Sequence, residues 1–82
     1  MRLVEHIPHP KLTIQLFQWN DKYILKVEIG QFEQLYKVPM QEASGADTVK
    51  RAVTPQFLEQ CMVNFLAMRK NWEEALNENK EK

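Results

Sequence analysis

The stretch KLTIQLFQWNDKYILKVEIGQFEQLYKV, residues 11–38, decides how the chain is read. Its first half pairs with itself if Asn20-Asp21 is a two-residue turn. Side chains alternate along a strand with period two, and a short loop fixes the register of a hairpin. Trp19 then lies opposite Lys22, Leu16 opposite Leu25, Ile14 opposite Val27 and Leu12 opposite Ile29. One face collects Leu12, Ile14, Leu16, Leu25, Val27 and Ile29. Both strands, Lys11 to Trp19 and Lys22 to Ile29, are rich in β-branched and aromatic residues that suit a pleated surface.

Gly30-Gln31 offers the next turn, followed by a third strand from Phe32 to Val38 that Pro39 ends. A two-residue loop sets Phe32, Gln34, Tyr36 and Val38 on the face of Leu25, Val27 and Ile29. It also sets Glu28 against Glu33, and like charges directly opposed are unfavourable. A four-residue loop keeps the same facing and separates the two carboxylates. The facing is common to both registers, and the register stays open.

The second face carries Thr13, Gln15, Phe17, Trp19, Lys22, Ile24, Lys26, Glu28, Glu33, Leu35 and Lys37. It is mostly polar, as a solvated sheet face is. Phe17 nevertheless lies opposite Ile24, with Leu35 on the neighbouring strand. A contiguous apolar group on a wet face is a candidate contact surface.

Upstream, Leu3, Val4 and Ile7 can make a short fourth strand, whereas Pro8 and Pro10 interrupt any ladder. The segment from His6 to Pro10 reads as an extended connection. His6 and His9 raise a metal hypothesis, but the proline between them restricts their approach and no third ligand adjoins them, so two solvated loop histidines are expected.

Downstream, residues 41–53 read as a surface loop, with Asp47 or Ser44 capping a short helical turn through Val53 and with Lys50-Arg51 as its exposed charge. Thr54-Pro55 is a strong helix start: the threonine can cap free amides, and proline at the first helical position loses no donor that a helix uses. From Pro55 to Leu76, the apolar residues Phe57, Leu58, Cys61, Met62, Phe65, Met68, Trp72 and Leu76 gather on one side. Glu59, Gln60, Asn64, Lys70, Asn71 and Glu74 occupy the other, and Lys70 can pair with Glu74 at spacing four. Residues 77–82 are expected to fray.

The fold class that follows is α+β, an antiparallel three- to four-stranded β-meander packed on one face by a long C-terminal helix. The domain division is a single unit, 1–82, with an N-terminal extended segment 1–10, sheet 11–38, loop 41–53, helix 55–76 and tail 77–82. Eighty-two residues suffice for one small core. A helix of that length outruns an eight-residue strand, about 33 Å against about 26 Å, so Met68, Trp72 and Leu76 are expected to lack a partner within the chain. The outer-face group and the excess helix together point to a second copy of the chain.

Composition narrows the function. Lys plus Arg equals Asp plus Glu at eleven each, which removes the simplest argument for a nucleic-acid or anionic-membrane partner. The single cysteine, Cys61, allows no internal disulfide, and no stretch has the character of a signal peptide or membrane span, so a cytoplasmic location is expected. Cys61 sits on the apolar side of the helix and reads as a small buried hydrophobe. The two glycines are isolated, which leaves no phosphate loop or dinucleotide fingerprint, and no serine-centred elbow is present. The expectation is a protein that is not an enzyme and carries no cofactor and no metal.

An alternative uses the aromatic and basic residues of the outer face. Phe17 and Trp19 beside Lys22 and Lys26 combine stacking surfaces with cations, the ingredients of a single-strand nucleic-acid platform. Strands followed by a long C-terminal helix, with Gln18-Trp19-Asn20 closing one strand in the stretch Ile14 to Tyr23, resemble the positive-cofactor-four type of transcriptional coactivator. That resemblance implies a dimer that binds single-stranded DNA. The first expectation is a homodimer or adaptor whose contacts are Phe17, Ile24 and Leu35 on the sheet and Met68, Trp72 and Leu76 on the helix.

Overall fold

Pairing energy and turn chemistry agree along most of the chain. A computed structural model describes residues 1–80, with side chains described through Glu78. Four strands, β1 (Arg2–Ile7), β2 (Thr13–Trp19), β3 (Lys22–Ile29) and β4 (Phe32–Pro39), are followed by a 3-10 turn at Met40–Glu42 and two helices, α1 (Ala46–Ala52) and α2 (Pro55–Lys80). The strands form one antiparallel sheet in the order β1-β2-β3-β4. Leu12, Ile14, Leu16, Leu25 and Val27 form its buried face, joined by Val49 of α1 and by Cys61 and Phe65 of α2.

The first hairpin turns at Asn20 and Asp21, whose φ angles are 50° and 61°. Both central residues of a type I′ turn need positive φ, and Asn and Asp tolerate it better than other side-chain-bearing residues. Pairing then runs from Trp19–Lys22 through Leu16–Leu25 and Ile14–Val27 to Thr13–Glu28. The strand begins at Thr13, not at the expected Lys11, for a local reason. His9 Nδ1 accepts the amides of both Lys11 and Leu12 at 3.0 Å, which takes those two donors away from the ladder. His9 is therefore a turn-closing residue.

The second hairpin adopts the two-residue loop. Gly30 has φ 58°, a left-handed conformation that glycine accepts without steric cost. Glu28 is indeed opposite Glu33. The repulsion is compensated without a longer loop, because Lys26 Nζ lies 3.7 Å from a carboxylate oxygen of each glutamate.

At the N-terminus the expected extended segment is a strand through Ile7, and the connection is confined to residues 8–12. The β1–β2 register shifts between Leu3, paired with Phe17, and Glu5, paired with Leu16. A bulge places one extra residue on one strand. It is what lets Val4 and Ile7, an odd number of positions apart, both pack against the core.

Residues 41–53 are more ordered than a loop. Gly45, at φ 148°, precedes α1 and its carbonyl accepts the Thr48 amide at 3.1 Å. Neither Ser44 nor Asp47 caps the helix; Ser44 Oγ instead bonds Thr48 Oγ1 at 2.8 Å. Val49 fixes α1 to the sheet by burial. Lys50 is not simply an exposed charge, since its Nζ meets Glu5 Oε2 of β1 at 2.7 Å, and this contact raises the lysine pKa.

Helix α2 starts as expected, with the Phe57 amide donating to Thr54 Oγ1 at 3.1 Å. It runs beyond Leu76 to Lys80, so the fray expected from residue 77 is helix as far as it is described, and residues 81 and 82 lie outside the described residues. Its 26 residues extend about 39 Å. The molecule measures 50 × 27 × 18 Å with a radius of gyration of 15.1 Å, against about 12 Å for a compact chain of this length. The excess is the projecting half of α2.

Candidate interaction surfaces

The outer sheet face is built by β2, β3 and β4. The Phe17–Ile24 pair and the Lys26–Leu35 pair are adjacent in the ladder. Phe17, Trp19, Ile24, Leu35 and Met1 line a groove of about 270 Å³, with Lys26, Glu33 and Lys37 at its edges. The structure corrects one expectation here. Ile24 is only 3% exposed and forms the floor, while Leu35 at 50% and Trp19 at 46% form the accessible walls. A contact on this face would reach Phe17, Trp19 and Leu35 first.

Of the cations expected to meet a nucleic acid, Lys26 is held between Glu28 and Glu33. Its charge is already compensated. Lys22 sits opposite Trp19, and Lys37 opposite Ile24. Neither forms an ion pair among the described residues.

The second surface is the far half of α2. Phe57, Leu58, Met62 and Met68 pack against the core around buried Cys61 and Phe65. Met68 is the last of them. Trp72 is 51% exposed and Leu76 43% exposed. The structure thus separates the three helix residues grouped in sequence: Met68 belongs partly to the core, and Trp72 and Leu76 lie beyond it. Leu66, also exposed, lies on the edge of the same side. The Lys70–Glu74 pair is not formed among the described residues.

Where the helix leaves the sheet, it borders a groove of about 560 Å³ lined by Ile29, Phe32, Met62, Phe65, Leu66 and Arg69, beside the Gly30-Gln31 turn. Sequence reasoning missed this groove. Its apolar members were all legible, but their convergence depends on the angle at which α2 crosses the hairpin end.

Between helix and sheet lies a small polar cluster. Gln34 Nε2 donates to the Cys61 carbonyl at 2.9 Å, Tyr36 Oη donates to Gln34 Oε1 at 2.7 Å, and Asn64 Nδ2 reaches the same oxygen at 3.4 Å. Tyr36 Oη also lies 3.7 Å from Cys61 Sγ, and its ring meets Phe57 edge-on at a centroid distance of 5.3 Å. Burial, followed by the hydrogen bond and charge of Cys61, raises the Tyr36 pKa above its ordinary value. Cys61 itself is 1% exposed. The cluster locks α2 onto β4, a packing role with every buried side-chain polar atom among the described residues satisfied.

His6 and His9 do not converge with other ligands, and no group of three or more metal-ligating side chains occurs among the described residues. No described helix is long and apolar enough to cross a membrane. Comparison with protein-family models, curated proteins and solved structures finds no match.

Proposed function

We propose that this chain is a small non-enzymatic protein-interaction module that acts as a homodimer, with the projecting half of α2 as its self-association surface. The observation that carries the reading is the continuation of the apolar side of α2, through Trp72 and Leu76, past the last residue that touches the core. Large exposed apolar side chains on a helix that overhangs its own domain need a covering surface, and a twofold partner is the commonest source. Phe17, Ile24 and Leu35 form a second surface, suited to an apolar side chain flanked by carboxylates, because Lys37 at its edge and Lys22 opposite its wall residue Trp19 have no ion-pair partner among the described residues. A cytoplasmic location belongs to the same proposal. Sedimentation velocity across about 5–500 μM tests it. The expected result is a monomer–dimer equilibrium that Trp72→Ala shifts to monomer. A monomer at all concentrations, unchanged by Trp72→Ala, rejects it.

A second reading, single-stranded nucleic-acid binding through Phe17, Trp19, Lys22 and Lys26, is favoured by one observation: Trp19 is exposed beside the unpaired Lys22. The compensation of Lys26 weakens it. Fluorescence titration of a labelled oligonucleotide at low salt, where phosphate attraction is strongest, decides it, and no binding there removes it.

A further inference from the structure

We infer that two copies associate through antiparallel α2 helices crossing near Trp72, with the end of each helix seated in the groove beside the other's Gly30-Gln31 turn. The inference rests on the homodimer reading above and adds its direction and register.

Direction follows from sterics. At about 100° per residue, Trp72 and Leu76 fall within about 20° of Phe65 on the helical wheel, and Phe65 is buried against the sheet. The free seam therefore lies on the same side of α2 as the sheet, only further along. If two helices met in parallel along that seam, both sheets would occupy the same level between them. Antiparallel pairing places the two sheets at opposite ends.

Register follows from what must meet. With Trp72 at the twofold axis, Met68 lies level with the second copy's Leu76, so each half-covered apolar residue gains an apolar partner. Leu66 lies level with the second copy's Glu78, at the start of the groove lined by Leu66, Phe65, Met62 and Arg69 on the helix and by Ile29 and Phe32 on the hairpin. The helix side of the groove ends at Arg69, about one turn before Trp72, and in this register the groove lies where the incoming helix ends.

Charge agrees with the same arrangement. Arg69 and Glu73 lie on one flank of the seam, about 40° apart on the wheel. Antiparallel twofold packing brings like flank to like flank with reversed direction. Arg69 then lies level with the second copy's Ala75 and within two residues of its Glu73, and symmetry repeats the pair. The two Glu73 side chains approach each other at the axis over the same offset, so the flank holds two attractive contacts against one repulsive contact. Neither Arg69 nor Glu73 has an ion-pair partner among the described residues of one chain.

Two measurements test this on the full chain. Met68→Cys and Leu76→Cys chains of different tagged mass are mixed and mildly oxidised, with the wild type as the control in which Cys61 is buried. The expected product is the mixed disulfide, in excess over either self-disulfide. Preferential Leu76→Cys self-linkage, or a dimer that forms neither product, overturns the antiparallel register while leaving the dimer standing. Absence of any dimer overturns both. Secondly, Arg69→Glu and Glu73→Arg change exposed positions and leave the fold intact. Each chain alone should dimerise about tenfold more weakly, whereas an equal mixture should recover as a heterodimer. Like charges within each helix persist in the mixture, so recovery can come only from the contact between copies. No recovery counts against the pairing of Arg69 with Glu73.

Discussion

The two halves of α2 follow one periodicity and meet different surroundings. From Phe57 to Met68 the apolar side faces Leu12, Ile14, Leu16 and Val27 across the sheet, and Gln34 ties the Cys61 carbonyl to β4. From Arg69 onward the same side carries Trp72 and Leu76 into open space. The contrast teaches that an amphipathic pattern specifies an apolar face but not the element that covers it. Cover is set by the lengths of the elements and the crossing angle, and here the sheet ends before the helix does.

The largest expected effect separates the halves directly. Phe65→Ala removes a buried ring and should cost the monomer about 3–5 kcal/mol, measured by urea unfolding at low concentration. Trp72→Ala, at a side chain half exposed, should cost the monomer under about 0.5 kcal/mol in the same experiment while abolishing self-association. If Trp72→Ala proved as costly as Phe65→Ala in a dilute monomer, the division of the helix into a covered and an uncovered half would be broken.

A smaller effect sharpens the covered half. Tyr36→Phe removes the hydrogen bond to Gln34 and should destabilise by about 1 kcal/mol. Its pH dependence carries the sign. The folded pKa is raised, with burial as the main cause. The folded state therefore holds its proton more tightly than the unfolded chain, whose tyrosine ionises near pH 10. Below about pH 10 this stabilisation is fully present, and it is lost as pH rises toward the folded pKa. Wild type should lose stability in alkali more steeply than Tyr36→Phe, as read by thermal unfolding between about pH 8 and 11. Equal slopes would show that the tyrosine is not held by the cluster.

Much of this contrast was legible from residues alone, and the remainder has identifiable causes. The β2–β3 register and the buried face of Leu12, Ile14, Leu16, Leu25 and Val27 followed from Asn20-Asp21 and period-two alternation, because turn chemistry and burial demand the same pairing. The start of α2 followed from Thr54-Pro55. The β3–β4 register does not follow from the opposition of Glu28 and Glu33 alone, because Lys26 reaches both carboxylates and offsets their repulsion. The bulge after Leu3 depends on backbone geometry that no side-chain pattern encodes, whereas the start of α1 is carried by Gly45, whose φ of 148° suits glycine. On the outer face, Phe17, Ile24 and Leu35 were grouped correctly by the ladder, yet the pattern could not show that their mutual packing would bury Ile24.

The smallest expected effect concerns that Lys26 bridge and serves as the reference for the helix comparison. Lys26→Gln leaves Glu28 and Glu33 opposed across the hairpin without a shared cation. Each contact is partly solvated, so the loss should amount to only a few tenths of a kcal/mol. It should shrink further in about 0.5 M salt, where charges this close to water are screened. Because Lys26 lies on the outer sheet face and the seam lies on α2, self-association should be unchanged by this substitution while monomer unfolding shifts slightly. A marked change in dimerisation would instead place the outer face in the self-contact. The uncovered half of α2 would then no longer be sufficient to explain why the chain pairs.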